Sequence, residues 1–246
     1  MDVSDILYTP LDVPPCPDFD VAKLRQWIAN LPTQETVAAS GDQFRVQIVK
    51  EINTAKASLN SWYPWNTVWV KQDNIWLNGF EKEFPQVARY MYEAFGLTND
   101  EIPIINLLPL KNDFAGIGFW HSDPDELGLR LYLENDCGSD TSVLFKPFVE
   151  KHYSRIELGQ LPRDGKTDLL QQDVMHEVVT PPGRSATFIN NLSAMHAVNT
   201  KTPGNPRIAV IIGVQRKYMT LNKINDLIIR SANKFKDQAV IWTPPK

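Results

Sequence analysis

Apolar residues recur at helical spacing in three stretches of the chain. Asp20 is a suitable N-cap for a first helix, whose apolar positions are Val21, Leu24, Trp27, Ile28 and Leu31. Pro85, a favoured first-turn residue, begins a second helix that runs to Phe95 and stops at Gly96. A third helix is predicted over Leu221–Phe235. Helices therefore flank a middle section that has a different pattern.

The middle section, from Ile102 onward, consists of short apolar runs divided by turn signals. The predicted strands are Ile102–Leu110, Gly116–His121, Leu129–Glu134, Thr141–Phe148, Met175–Val179, Ala186–Ile189 and Ile208–Val214. Several short strands at this spacing are typical of a β-sandwich or barrel. We predict a mainly β fold with flanking helices, in which an N-terminal helical layer supports a double-sheet core. The proline-rich residues 1–19 are expected to form an extended arm on the surface.

Length and composition are those of an ordinary globular protein. The chain has 246 residues, of which 43% are hydrophobic and 22% are charged. We expect one domain over residues 1–246. Within it, residues 1–100 form the arm and the supporting helices and strands, residues 101–216 form the core, and residues 217–246 form a C-terminal helix and tail.

Net charge and cysteine content indicate which binding partners and which cellular compartment to expect. The net charge is −4, so no global attraction to a phosphate backbone is expected, and the basic segment from Arg216 to Lys236 is interpreted as a solvated helix face. The two cysteines, Cys16 and Cys137, make no disulfide framework. No secretory leader is recognised, and no apolar run approaches the ~18 residues of a membrane span. We expect a cytoplasmic protein with no membrane partner.

The residues that carry chemistry begin with the tripeptide His121-Ser122-Asp123. In an extended strand, residues i and i+2 point to the same face, so His121 and Asp123 can converge on one metal ion. Pro124 favours extended backbone at Asp123. His196, further along the chain, is a third candidate ligand. Two imidazoles and one carboxylate form the facial triad of non-haem Fe(II) oxygenases.

Arg207 is the candidate co-substrate residue. It follows a strong turn signal, Thr202-Pro203-Gly204-Asn205-Pro206, and opens the apolar run that continues to Val214. We expect a loop to lead from a strand to His196, and His196 and Arg207 to lie on neighbouring strands of a hairpin, close enough to face one site. A buried arginine needs an anionic partner, and the distal carboxylate of 2-oxoglutarate would supply one.

These residues, in this order, resemble the Fe(II)/2-oxoglutarate-dependent dioxygenases over about residues 102–215. The flanks agree as well, with Gly118-Phe119-Trp120 before the first motif and His196-Ala197-Val198 at the second. The resemblance implies a double-stranded β-helix, that is, a jelly-roll or cupin-like barrel, whose catalytic core is residues 101–216. The N-terminal third has no recognised counterpart.

The resemblance also implies the roles of the residues. His121, Asp123 and His196 would hold Fe(II), and Arg207 would bind 2-oxoglutarate. With O2, the product would be a hydroxylated amino acid, peptide or small metabolite, together with succinate and CO2. Because halogenases of the family have Gly or Ala at the position of Asp123, hydroxylation is favoured. Asn106 and Arg130 are candidate further contacts to 2-oxoglutarate or substrate, with a structural role as the alternative for each.

Two other functions stay open. Asn106-Leu107 and Trp120–Asp123 resemble the AlkB-type nucleic-acid demethylases, but the ending of that group would need Asn at Ala209 and Arg at Gly213. We rank this alternative below oxidation of a small molecule or peptide. The other is a non-catalytic or 2-oxoglutarate-independent cupin-like metal-binding protein, which would have no need of Arg207. The two remaining histidines, His152 and His176, are interpreted as structural or surface residues.

Overall fold

The computed structural model describes residues 1–30, 68–72, 75–102, 104–110, 116–117, 126–135, 141–147, 176–190, 194–201, 207–215 and 222–242. The statements below concern these residues. The predicted ligands His121 and Asp123 lie outside them. No helix among them is long and apolar enough to cross a membrane.

Two antiparallel sheets dominate the described chain. Its strands are β1 (Ile6–Pro10), β2 (Val68–Gln72), β3 (Ile75–Trp76), β4 (Ile104–Leu110), β5 (Gly116–Ile117), β6 (Glu126–Asn135), β7 (Thr141–Pro147), β8 (His176–Val179), β9 (Ala186–Ile189), β10 (Ala194–Thr200), β11 (Arg207–Gln215) and β12 (Val240–Ile241). The larger sheet has the order β12-β1-β9-β6-β11-β4-β2-β3, and the smaller has the order β5-β10-β7-β8.

The order of strands β4 to β11 defines the fold. The chain passes between the sheets at almost every step, so that β9-β6-β11-β4 in one sheet faces β5-β10-β7-β8 in the other. Eight strands wound in this way form a jelly roll, the double-stranded β-helix. The predicted fold class is therefore confirmed by the strand order itself.

Helices cover the outer face of the larger sheet. They are α1 (Val21–Asn30), α2 (Phe80–Glu83), α3 (Pro85–Glu93) and α4 (Asn222–Lys234), with 3₁₀ turns at Val3–Asp5 and Asn99–Glu101. Their apolar sides, including Leu24, Met91 and Ile228, join Leu131 and Val210 of the sheet in the main core. The sheet and the helices thus bury one shared apolar layer, as a two-layer domain requires.

The ends of the helices follow their local sequences. Asp20 is the N-cap of α1, as predicted, because its side chain accepts a hydrogen bond of 2.9 Å from the backbone N–H of Lys23. Gly96, which follows α3, has a φ of 62°, a value that glycine adopts without the steric cost of a Cβ. The three predicted helices are confirmed, with ends that differ by a few residues.

A second, smaller core fills the space between the sheets. Tyr8 and Ile189 from the larger sheet meet Val143 and Phe145 from the smaller sheet in one buried cluster. Because side chains alternate along a strand, the residues between the helix-facing positions of the larger sheet point into this space. This inner space is where the candidate site residues lie.

The expected pairing of the strands of His196 and Arg207 is wrong. His196 lies in strand β10, and β10 pairs with β5 and β7 in the smaller sheet. Arg207 lies in β11, which pairs with β4 and β6 in the larger sheet. The two residues therefore belong to opposite sheets and not to one hairpin, because a jelly roll sends consecutive strands across the sandwich.

The N-terminal arm is also more ordered than expected. Residues Ile6–Pro10 form strand β1, which pairs with β9 on one side and with β12 on the other. Both ends of the described chain thus extend the larger sheet beyond the jelly roll. The boundaries of the single domain stay a prediction.

Candidate functional site

His196 lies inside the sandwich. It is fully buried, and it is in register with Phe145 of β7, whose side chain belongs to the core between the sheets. Cross-strand partners in an antiparallel ladder share a face, so the imidazole also points toward the larger sheet. The predicted metal ligand is therefore positioned at an inner face, away from bulk water.

Arg130 of β6 reaches His196 from the opposite sheet. Its Nη2 atom is 2.9 Å from Nε2 of His196, and both side chains are buried. A guanidinium group has donors and no acceptor, so it donates to Nε2, and the proton of the neutral imidazole is then on Nδ1. This hydrogen bond joins the two sheets at the candidate site.

Arg130 belongs to a polar row across the inner face of the larger sheet. Ile211 pairs with Asn106 on one side and with Arg130 on the other, and Arg130 pairs in turn with Thr187 of β9. Thr187 is fully buried. The Asn106 carbonyl oxygen, the Arg130 Nε and the Thr187 hydroxyl have no hydrogen-bond partner among the described residues. Buried polar groups of this kind are normally satisfied, so the row is suited to hold a polar ligand.

Arg207 lies at the other end of the same face. The inner face of β11 carries Arg207, Ala209 and Ile211 in alternation, since Ile208, Val210 and Ile212 all belong to the helix-facing core. Arg207 is 2% exposed, and its Cζ atom is 5.8 Å from the centre of the Tyr132 ring. That distance is within the range of a cation–π interaction. Ile211 is four positions after Arg207, and the distance between them along the strand is about 13 Å.

Two cationic side chains, Arg130 and Arg207, are buried on the inner face of the larger sheet. The buried Glu134, on the same strand as Arg130, is paired with Arg25 of helix α1 and so contributes to the helix-facing side. Guanidinium groups at separate points on one face can each make charge-assisted hydrogen bonds to a carboxylate.

The described residues allow a partial test of the metal site. His196 fits, because it is a buried imidazole that points into the inner space. Within the described ranges there is no group of three or more His, Cys, Asp or Glu side chains that could hold a metal ion. Since His121 and Asp123 lie outside those ranges, the complete ligand set stays a prediction. Strand β5 does end close before them in sequence, and it pairs with β10, the strand of His196.

Sequence reasoning did not identify Thr187 and Tyr132. Both lie at positions that alternate with helix-facing residues, Ala186 and Phe188 around Thr187 and Leu131 and Leu133 around Tyr132. Alternation along each strand separates these residues from the apolar core positions, but it does not show which strands lie side by side. The strand registers supply that information.

Comparisons with known proteins concern the fold. No protein-family model and no curated protein sequence matches the chain. Among solved structures, it is similar to a Pseudomonas putida prolyl-4-hydroxylase, with 10% identity and a TM-score of 0.32, over 69% of this chain and 87% of that one. The non-heme monooxygenase ThoJ, in its apo form, has 11% identity and a TM-score of 0.39, over 96% and 97% of the two chains.

A third similar structure contains ligands. HygX from Streptomyces hygroscopicus, with nickel and 2-oxoglutarate bound, has 11% identity and a TM-score of 0.37, over 81% of this chain and 88% of that one. At these identities and TM-scores the likeness is one of fold alone. What this chain binds has to be inferred from its own residues.

Proposed function

We propose that this chain is a Fe(II)- and 2-oxoglutarate-dependent oxygenase that hydroxylates a C–H bond of an amino acid, peptide or small metabolite. In the overall reaction, 2-oxoglutarate, O2 and the substrate R–H give succinate, CO2 and R–OH. One O2 oxygen enters the succinate and the other enters the product. The metal, when bound, supplies the site at which O2 is activated.

The observation that carries the proposal is the contact of the buried His196 with Arg130 of the opposite sheet, on the same inner face that carries the buried Arg207. Arg130 is 2.9 Å from the imidazole, and Arg207 lies further along the same inner face. A short dicarboxylate has one negative group at each end, which matches two separated cations. In this proposal Arg207 binds the distal carboxylate and Arg130 lies beside the carboxylate next to the metal.

The other residues have supporting roles. His196 would be one metal ligand, with His121 and Asp123 as the others, and the carboxylate of Asp123 favours hydroxylation over halogenation. Asn106 would donate to, or accept from, the ligand at the far side of Ile211. Tyr132 orients Arg207 through its ring. Burial of His196, Arg130, Arg207 and Tyr132 would exclude water from the reacting groups.

Formation of succinate tests this proposal. The purified protein is supplied with Fe(II), 2-oxoglutarate and air, and succinate is measured alone and with each of a panel of amino acids. We expect slow succinate formation without substrate, which stops when the metal is chelated. His196→Ala should abolish it. Arg230→Gln is a suitable control, because Arg230 is an exposed arginine of helix α4 that pairs with Asp12.

The alternatives predict other results. A cupin-like metal protein would bind metal through His196 but form no succinate. An AlkB-type demethylase would form succinate, with stimulation by methylated oligonucleotides and not by amino acids. Absence of succinate from folded, metal-loaded protein would contradict the proposed function.

A further inference from the structure

The hydrogen bond between Arg130 and His196 engages the atom that the proposed metal needs. A neutral imidazole has one ring nitrogen with a free lone pair, and here that atom is Nε2, because Arg130 donates to it. Zinc and iron bind histidine through the same kind of lone pair. One lone pair cannot accept a hydrogen bond from Nη2 and bind a metal at the same time. Arg130 and a metal ion therefore compete for His196.

Competition at this place also has an electrostatic component. Arg130 is 5% exposed, and its side chain is a guanidinium cation. A divalent cation on the Nε2 lone pair would need the space that Nη2 of Arg130 fills, and little water would be present to screen the repulsion between the two charges. Metal loading thus requires Arg130 to turn away from His196, and a nearby anion would make the turn more favourable.

The inner face offers a place for the displaced group. Nη2 of Arg130 donates to His196, whereas Nε of Arg130 has no acceptor among the described residues. Thr187, the cross-strand neighbour of Arg130, presents a buried hydroxyl on the same face. A carboxylate that binds next to the metal would lie within reach of both side chains and would neutralise the guanidinium.

We propose that Arg130 is a positioning residue that holds His196 before metal loading and then moves to the metal-proximal carboxylate of 2-oxoglutarate. This inference rests on the proposed function. Its consequence is that metal and 2-oxoglutarate bind cooperatively, since each removes the obstacle to the other. Thermodynamic linkage requires the two effects to be equal in size.

The test measures the dissociation constant of Mn(II), under conditions without turnover, with and without 2-oxoglutarate. We expect 2-oxoglutarate to tighten Mn(II) binding to the wild-type protein by about tenfold or more, the amount that one hydrogen bond to a charged group contributes. Arg130→Met removes the competing donor. It should bind Mn(II) alone about tenfold more tightly than wild type, and the further tightening by 2-oxoglutarate should be smaller than in the wild type.

Arg207→Met is the matched control, because it removes the same charge from the same face without touching His196 in the described structure. It should weaken 2-oxoglutarate binding and leave the affinity for Mn(II) alone close to that of the wild type. Equal tightening of Mn(II) binding in both variants would indicate long-range charge repulsion and would contradict competition at Nε2.

Three other outcomes distinguish failure of the Arg130 inference from failure of the proposed function. If Arg130→Met binds Mn(II) no more tightly than wild type, the inference is wrong although the proposed function can still hold. If Arg130→Met does not fold, the wild-type measurement is sufficient, because Mn(II) affinity that does not depend on 2-oxoglutarate contradicts the coupling. If the wild-type protein binds neither Mn(II) nor 2-oxoglutarate, the proposed function itself fails.

Discussion

The two faces of strand β6 carry different kinds of side chain, one for the apolar core and the other for the candidate site. Leu129, Leu131 and Leu133 face the helices and belong to the main core, whereas Arg130 and Tyr132 face the smaller sheet. The outer face is a layer of aliphatic side chains. The inner face places a cation against a histidine of the other sheet. One ten-residue strand therefore contributes to stability through one set of side chains and to the candidate site through the other.

This difference teaches that stability and ligand binding can be changed separately. A substitution on the outer face removes apolar contacts and leaves the inner groups in place. A substitution of a polar residue on the inner face removes a ligand contact, and it can even relieve a buried polar group that has no partner. The first three variants below each lie on one face of the larger sheet and are measured for both properties.

The largest effect on stability is expected for Leu131→Ala on the outer face. Leu131 is fully buried in the main core, and removal of such a side chain costs about 2–5 kcal/mol of unfolding free energy. Chemical denaturation measures this loss. The affinity for 2-oxoglutarate at a temperature where the variant is folded should stay near the wild-type value, and a large loss of that affinity would break the separation between the faces.

On the inner face, Arg207→Gln should have its main effect on binding. We expect the affinity of the metal-loaded protein for 2-oxoglutarate to fall by about a hundredfold, since the variant loses a buried charge-assisted contact. Titration calorimetry measures this change. Unchanged affinity would mean that the distal carboxylate is not bound by Arg207.

Thr187→Val is expected to give a smaller effect on the same face. The replacement conserves shape and removes a hydroxyl group that has no hydrogen-bond partner among the described residues. The unfolding free energy should therefore change by less than about 1 kcal/mol, while 2-oxoglutarate binding weakens several-fold. A loss of several kcal/mol in denaturation experiments would show that the hydroxyl is a structural contact, contrary to its proposed place in a ligand-binding row.

The smallest effect concerns pH and a residue outside the polar row. His176 of β8 is half-buried beside Trp242, and burial lowers the pKa of its imidazole below the ordinary value of 6.5. The unfolded chain then binds more protons than the folded protein as the pH falls through this range, so acid decreases stability. His176→Gln should lose less stability than the wild type between about pH 7 and pH 5. Equal losses in thermal unfolding would contradict this assignment.

The sequence predicted those features that depend on local pattern. The N-cap at Asp20, the stop at Gly96 and the strand Ala186–Ile189 all follow from residue types within a few positions, and the structure confirms them. Strand β10 was missed, because its sequence, Ala194-Met195-His196-Ala197-Val198-Asn199-Thr200, has no strong alternation and read as a loop. Tertiary pairing with β7 decides its conformation.

The relation between site residues was harder to predict than their identity. His196, Arg207, Asn106 and Arg130 were all chosen from the sequence, and all four lie on strands of the jelly roll. Their arrangement across two sheets depends on topology, which short-range pattern does not encode. The contact between Arg130 and His196 joins residues that are 66 positions apart in sequence. Such a contact can be inferred only after the strand order is known.

The central claim is that the inner space of the jelly roll binds a metal and 2-oxoglutarate together. The most direct measurement is the visible absorption spectrum of the protein after anaerobic addition of Fe(II) and then 2-oxoglutarate. We predict a weak charge-transfer band that forms only when both are present, disappears in His196→Ala and needs more 2-oxoglutarate in Arg207→Gln. A correctly folded wild-type protein that shows no such band at saturating concentrations of both would contradict the account.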